Sequence, residues 1–150
     1  MCVNDKLIVQ LIPYDKMESI VPLAFELNRG KITHEVLENR LKKMLKMGGY
    51  ECVGVYDNDE LIGICGVWIL YKLYAGKHIE PDNVFVKKEY RSRGVGELML
   101  DYVFEYAKKI GCEAAEVNFY VANKKGQQFW ERQGFESLAI HGFKKFNQIK

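Results

Sequence analysis

Apolar positions along the chain fall into short runs and helical stripes. Residues 7–11 form a brief apolar run that reads as a first strand. A helix is predicted over residues 16–28, with Ile20, Leu23, Ala24 and Leu27 on one face, a kink or break at Pro22, and Arg29-Gly30 at its end. Thr33 cannot open a capping box, because Val36 stands where a carboxylate or amide would reach back. Its hydroxyl can still cap a helix running to about Met47, with Leu37, Leu41, Met44 and Leu45 apolar and Gly48-Gly49 stopping it. Residues 50–56 and 61–71 are β-rich runs on either side of "DNDE", the pattern of a hairpin. Another strand is predicted over residues 79–86; Pro81 lacks a ladder donor, so the strand should bulge or part from a neighbour there. The clearest helix covers residues 94–110, with Val95, Leu98, Met99, Tyr102, Val103, Tyr106 and Ile110 on one side and Gly111 just past its end. Residues 114–121 alternate like a strand. Asn123 caps a helix ending at Gly134, and two short strands follow near 135–138 and 142–146. The order β-α-α-β-β-β-α-β-α-β-β describes one mixed α/β domain over residues 1–150.

Composition narrows the class. The chain has 150 residues, 48% hydrophobic and 28% charged, enough apolar material for a core. The net charge of +2, from 22 basic and 20 acidic residues, does not point to a nucleic-acid or membrane partner. No apolar run approaches the ~20 residues of a membrane span. The first ten residues carry Asp5 and Lys6 and lack a signal-peptide core. Cys2, Cys52, Cys65 and Cys112 show neither a CxxC pair nor metal-ligand spacing; Cys52 and Cys65 read as small buried hydrophobes, and a reducing cytoplasm is the expectation.

The segment "EYRSRGVGELML", residues 89–100, concentrates chemistry at a helix start. A helix N-terminus exposes unpaired N–H groups and a partial positive charge, and so suits phosphate oxygens. Gly94 and Gly96 remove two Cβ atoms from the approach, and Arg91 and Arg93 add charge at its rim. A Walker A loop is excluded, since no Lys-Ser/Thr follows the last glycine. A GxGxxG fingerprint fails at Met99. What remains is Arg-x-x-Gly-x-Gly following a strand.

Downstream, "NKKGQQFWERQGF", residues 123–135, supplies an Asn-capped helix that ends in Gly-Phe. The two motifs in this order and spacing resemble the GNAT N-acetyltransferase superfamily. The resemblance implies an acetyl-CoA-dependent acyltransferase with a mixed, mostly antiparallel sheet splayed at the fourth strand and flanked by about four helices. It also implies that Ser92, Gly94, Val95, Gly96 and Glu97, with Arg91 and Arg93, wrap the pyrophosphate of acetyl-CoA. Val84, Phe85 and Val86 would bind the pantetheine arm like an added strand, and Asn123 matches a position that contacts pantetheine or substrate. A homodimer is a further implication. The stretch "GICGVWILYKLYAGKHIEPDNVFV", residues 63–86, is similar to the diamine (polyamine) acetyltransferase branch.

Acetyl transfer to an amine sets chemical demands. An alkylammonium with a pKa near ~10 is protonated at neutral pH, so a carboxylate, directly or through water, must take a proton. The thioester carbonyl must be polarised and the thiolate stabilised. Because acetyl-CoA carries the activated acyl group, no metal is called for. Asp82 is the preferred base and Glu80 the alternative. Many members of the family carry Phe-Tyr where this chain has Phe129-Trp130, and an indole N–H is a hydrogen-bond donor but not a useful acid. Trp130 would then line the pocket or hold the thioester, with solvent or another phenol such as Tyr120 as the acid. His34, His78 and His141 share no motif, and His78 adjoins the acidic strand. Trp68, Tyr71 and Tyr74 are candidates for an aromatic pocket wall. The acceptor is expected to be a small-molecule amine, a polyamine or an amino-acid-like amine, with Glu26 and Asp82 as its carboxylate contacts. A peptide N-terminus remains open, as does a non-catalytic acetyl-CoA-binding module. The basic run "KKEYRSR" alone does not make a nucleic-acid surface.

Overall fold

The computed structural model describes residues 6–146; Cys2 and the first part of the N-terminal stretch lie outside them. The chain divides into two compact units, Met1–Glu116 and Val117–Lys150.

The first unit holds a five-stranded sheet in the order β1 (Leu7–Leu11), β2 (Tyr50–Asp57), β3 (Glu60–Lys72), β4 (Gly76–Val86) and β5 (Ala114–Ala115). Every neighbouring pair is antiparallel except β4 with β5. The β2–β3 hairpin turns at Asn58-Asp59, where Asn58 takes a φ of 57°, a conformation asparagine tolerates in tight turns.

Pro22 does not kink a continuous helix. A 3-10 helix runs over Tyr14–Ile20, and α1 (Val21–Leu27) begins one residue before the proline, which occupies the first turn, where its missing N–H costs nothing. α2 spans His34–Met47, and Thr33 Oγ1 accepts from Val36 N at 3.2 Å, the cap expected without a capping box. α3 covers Val95–Lys109.

The sheet is covered on both faces. One buries Ile12, Met17, Ile20, Leu23, Leu41, Tyr50, Cys52, Ile64 and Phe85 in a single cluster with α1 and α2. On the other, α3 buries Val95, Met99, Leu100 and Val103. Gly63 marks that second face, since a Cβ there would stand 3.5 Å from Met99 and Val95. Cys52 and Cys65 are buried free thiols; burial pushes the Cys52 thiol up to about 12 and raises Cys65 as well.

Pro81 explains why the sheet opens. β5 pairs only with His78 and Ile79, and Glu116 N donates to the Ile79 carbonyl at 3.0 Å. Residues two apart on a strand direct their backbone groups to the same side. Pro81 therefore turns a nitrogen without hydrogen toward the β5 edge, and among the described residues no strand pairing continues there over residues 81–86. The parting expected at the proline is found. The bulge against β3 comes two residues later, at Asn83: Asp82 pairs with Gly66 and Val84 with Cys65, leaving Asn83 out of register at a φ of 29°.

In the second unit, α4 (Lys124–Arg132) is capped by Asn123, whose Oδ1 accepts from Gly126 N at 2.9 Å, and Gly134 follows it at a φ of 96°. Two expectations fail here. The strand predicted over residues 114–121 is confined to Ala114–Ala115, and those predicted near 135–138 and 142–146 are not formed among the described residues. Alternation alone does not make a strand without a ladder partner: Tyr120, Val121, Leu138, Ile140, Phe143 and Phe146 are all exposed. No helix among the described residues is long and apolar enough to cross a membrane.

Candidate active site

After β4 the chain makes a 3-10 turn, Lys88–Tyr90, and then reaches Ser92 at a φ of 61° and Gly94 at 80°. Positive φ at two positions so close together turns the backbone sharply before α3. Gly94 is the N-cap of α3, and no side chain caps the first turn. The first helical bond runs from Leu98 N to the Gly94 carbonyl at 3.0 Å, so the earlier amides have no partner within the helix. Arg91, Ser92, Arg93, Gly94 and Glu97 are exposed, Gly96 is partly so, and Val95 is buried beneath them. Arg91 is more than a rim charge. Its Nε donates to the Val86 carbonyl at 2.8 Å and its guanidinium lies 5.1 Å from the Phe85 ring, fastening the turn to the end of β4. Arg93 lies over Tyr90, and the Tyr90 hydroxyl donates to the Asp57 carboxylate, which pushes the phenol up to about 12.

Asp82 lies on the open half of β4 and is exposed. Two donors hold its carboxylate: Trp68 Nε1 to Oδ2 at 3.2 Å and Asn83 N to Oδ1 at 2.8 Å. Tyr50 Oη donates to Asn83 Oδ1 at 3.1 Å, and the Tyr50 and Trp68 rings stand 5.0 Å apart. Burial raises the Tyr50 phenol, so it remains a donor. Tyr50 and Asn83 were not foreseen. Asn83 left one trace in the sequence, since Pro81-Asp82-Asn83 puts three turn-forming residues in a row inside a strand.

Glu80 is engaged elsewhere. Its Oε2 lies 2.8 Å from His78 Nε2 and 3.1 Å from Lys72 Nζ, and Lys72 also bridges to Glu116 at 3.1 Å. Tyr74 donates to Glu116, which with Lys72 holds that carboxyl below its ordinary value. His78, Glu80 and Glu116 bring ligand-type atoms within 4.8 Å of one another, but the Lys72 ammonium takes the cation's place between the carboxylates. His78, fully buried, belongs to this network; His34 packs on the Phe25 ring at 4.3 Å, and His141 is exposed. Of the expected aromatic wall only Trp68 reaches Asp82. Tyr71 and Tyr74 lie exposed toward the far end of the β3–β4 hairpin. Glu26 is exposed on α1, a helix that packs against β4. Val84 and Val86 pair with Cys65 and Gly63 toward the α3 face, while Phe85 belongs to the opposite core.

In the second unit, Trp130 is buried, edge-on to Phe129 at 5.2 Å and to Phe135 at 5.5 Å. Tyr120 is exposed, and Asn123 spends its side-chain oxygen on the α4 cap.

Comparison with known proteins identifies the family and the fold. Residues 16–135 match the model of the acetyltransferase (GNAT) family. The uncharacterized N-acetyltransferase YhdJ of Bacillus subtilis is 24% identical over 84% of this chain and 89% of its own length. The thialysine N-epsilon-acetyltransferase of Sus scrofa is 27% identical over 52% of this chain, and the match spans only 46% of that protein. Among solved structures, the aminoglycoside N-acetyltransferase AAC(6')-Iy in complex with CoA superposes with a TM-score of 0.79 at 16% identity, over 94% of this chain and 95% of its own, and so shares the fold. The family match covers most of the chain and the solved structure shares its fold, so the chain belongs to the acetyltransferase (GNAT) family and is an acyltransferase.

Proposed function

We propose that the chain moves the acetyl group of acetyl-CoA to a primary amine of a small molecule, with Asp82 as the general base. The observation that carries this reading is the placement of Asp82: an exposed carboxylate held by Trp68 and Asn83 on the half of β4 that has lost its neighbour.

The residues fit acetyl-CoA. The uncapped first turn of α3, widened by Gly94 and Gly96 and flanked by Arg91 and Arg93, suits a pyrophosphate. The open edge along Val84, Phe85 and Val86 offers backbone groups that an extended pantetheine arm can pair with as a strand would. Acetyl-CoA supplies the acetyl group already activated as a thioester. Asp82 then has one task, to take a proton from the acceptor ammonium, directly or through a water. Glu80 is the weaker candidate because Lys72 and His78 already claim its oxygen. Trp130, packed between Phe129 and Phe135, can donate a hydrogen bond but no proton, and so is not the acid.

Among acceptors, we favour an amine carried on a short flexible chain, as in a diamine or thialysine. The partial likeness to a thialysine acetyltransferase supports this choice. Glu26, exposed on α1, is the candidate contact for a second ammonium. The test is free-thiol release from acetyl-CoA with polyamines, thialysine, amino sugars and short peptides, run beside a direct measurement of acetyl-CoA binding. Release with a small amine and none with peptides is expected. Release with peptides alone would replace the acceptor class, and binding without release from any acceptor would favour a binding module.

A further inference from the structure

We infer that Tyr50 is a positioning residue for acetyl transfer: from two strands away it pins the β4 bulge and so sets the direction of the Asp82 carboxylate. This rests on the reading of Asp82 as the base. The argument begins with parity. In a regular strand Asp82 would share a face with Val84 and Val86. Because Asn83 drops out of the ladder, Asp82 instead shares the α1 and α2 face with Phe85, while Val84 and Val86 turn to the α3 face. The bulge therefore separates the base from the hydrophobic residues that follow it, and loss of the bulge would exchange their faces.

A bulge residue at a φ of 29° needs something to hold it. Tyr50 is that support. It is fully buried at the start of β2, its carbonyl accepts from the Tyr14 hydroxyl at 2.8 Å, and its own hydroxyl reaches Asn83 Oδ1 at 3.1 Å. The path crosses β3 at Gly66, where a Cβ would overlap the Tyr50 hydroxyl and stand 2.6 Å from Asn83 Oδ1. Tyr50, Gly66 and Asn83 thus form one device spanning three strands. Its output is the Asn83 N–H, which donates to Asp82 Oδ1 at 2.8 Å.

Tyr50→Phe removes the hydroxyl and keeps the ring. With thialysine as acceptor and saturating acetyl-CoA, kcat should fall about five- to tenfold, the worth of one buried hydrogen bond. The Kd for acetyl-CoA should stay within about twofold, because the glycine turn is untouched. Asn83→Ala should show the same loss, and Tyr50→Phe/Asn83→Ala should lose no more than either alone. In an Asp82→Asn background Tyr50→Phe should cost nothing further, whereas a residue acting only through stability would add its loss. Amide exchange supplies a reading that needs no acceptor: in Tyr50→Phe the Asn83 amide should exchange faster while Val53 and Val67 stay unchanged. Unchanged Asn83 exchange overturns the inference, as does a loss that adds in full to Asp82→Asn. If Asp82→Asn itself leaves turnover intact, the base assignment fails instead. Should thialysine give no turnover, the exchange experiment decides alone.

Discussion

Replacing Gly66 by alanine would put a methyl group into the space where Tyr50 meets Asn83. The added Cβ would overlap the Tyr50 hydroxyl and lie 2.6 Å from Asn83 Oδ1 and 2.9 Å from Nδ2. Neither neighbour gives way cheaply: Tyr50 is fully buried and anchored by Tyr14, and Asn83 is held in the bulge. Overpacking of this kind costs about 1–3 kcal/mol. Loss of the Tyr50–Asn83 bond adds about 1 kcal/mol, and the lower unfolded-chain entropy of alanine returns about 0.5–1 kcal/mol. The net of about 1–3.5 kcal/mol corresponds to a fall in Tm of roughly 2–14 °C for a chain of this size. Gly54→Ala is the matched control. Its Cβ would meet Leu61 Cδ1 at 2.8 Å and Ile12 Cδ1 at 3.0 Å, the ends of flexible apolar side chains on the same sheet face. Both variants should melt lower, but only Gly66→Ala should also lose turnover, by about tenfold at a temperature where each is folded. Thermal unfolding by circular dichroism and thiol release measured on the same samples separate the two effects. Equal specific activity in the two variants, with Gly66→Ala destabilised as expected, would refute the claim that this contact serves the site.

Three further outcomes are expected. Asp82→Asn should lower kcat by about 10²–10⁴ while leaving acetyl-CoA affinity in place, measured by thiol release and by calorimetry; equal losses in both would remove Asp82 from the base role. Gly96→Val should abolish acetyl-CoA binding, and Arg91→Ala should weaken it by about tenfold or more, because Arg91 loses its bond to Val86 and its place on Phe85 along with its charge; calorimetric titration reads both. The Cys52 thiol, raised from 9.0 to about 12, keeps its proton in the folded chain while the unfolded chain sheds it. Its stabilising contribution is therefore present at neutral pH and is lost as pH climbs from about 9 toward about 12. The urea midpoint of the wild type should fall more steeply between about pH 8 and pH 10.5 than that of Cys52→Ala.

Local chemistry was legible wherever one segment contains its own explanation. Thr33 capping α2, Asn123 capping α4 and the glycine turn before α3 each depend on residues within a few positions of one another. Pro81 was legible in the same way, since a nitrogen without hydrogen cannot continue a ladder whichever strand lies beside it. The strands expected after Ala115 failed for the opposite reason. Their alternating residues satisfy the pattern of a strand, yet pairing depends on a neighbour that the pattern does not contain, and those side chains stay exposed.

Arg91 and the bulge show how this limit reaches the site itself. As a charge near a helix start Arg91 reads as a phosphate contact, but its hold on the Val86 carbonyl and the Phe85 ring appears only when the turn folds back on β4. The proposed base shows it more sharply. Asp82 and Glu80 have the same parity and the same chemistry, and the sequence prefers Asp82 without showing what holds either carboxylate. What distinguishes their surroundings comes from outside the strand. Lys72 at the end of β3, with the buried His78, claims Glu80, while Trp68 and the bulge at Asn83 claim Asp82. Asn83, the residue that leaves the ladder, accepts across Gly66 from the hydroxyl of Tyr50, 33 residues earlier in the chain. On the inference above, a side chain with no catalytic chemistry of its own, on a strand that does not pair with β4, holds the bulge whose amide donates to Asp82.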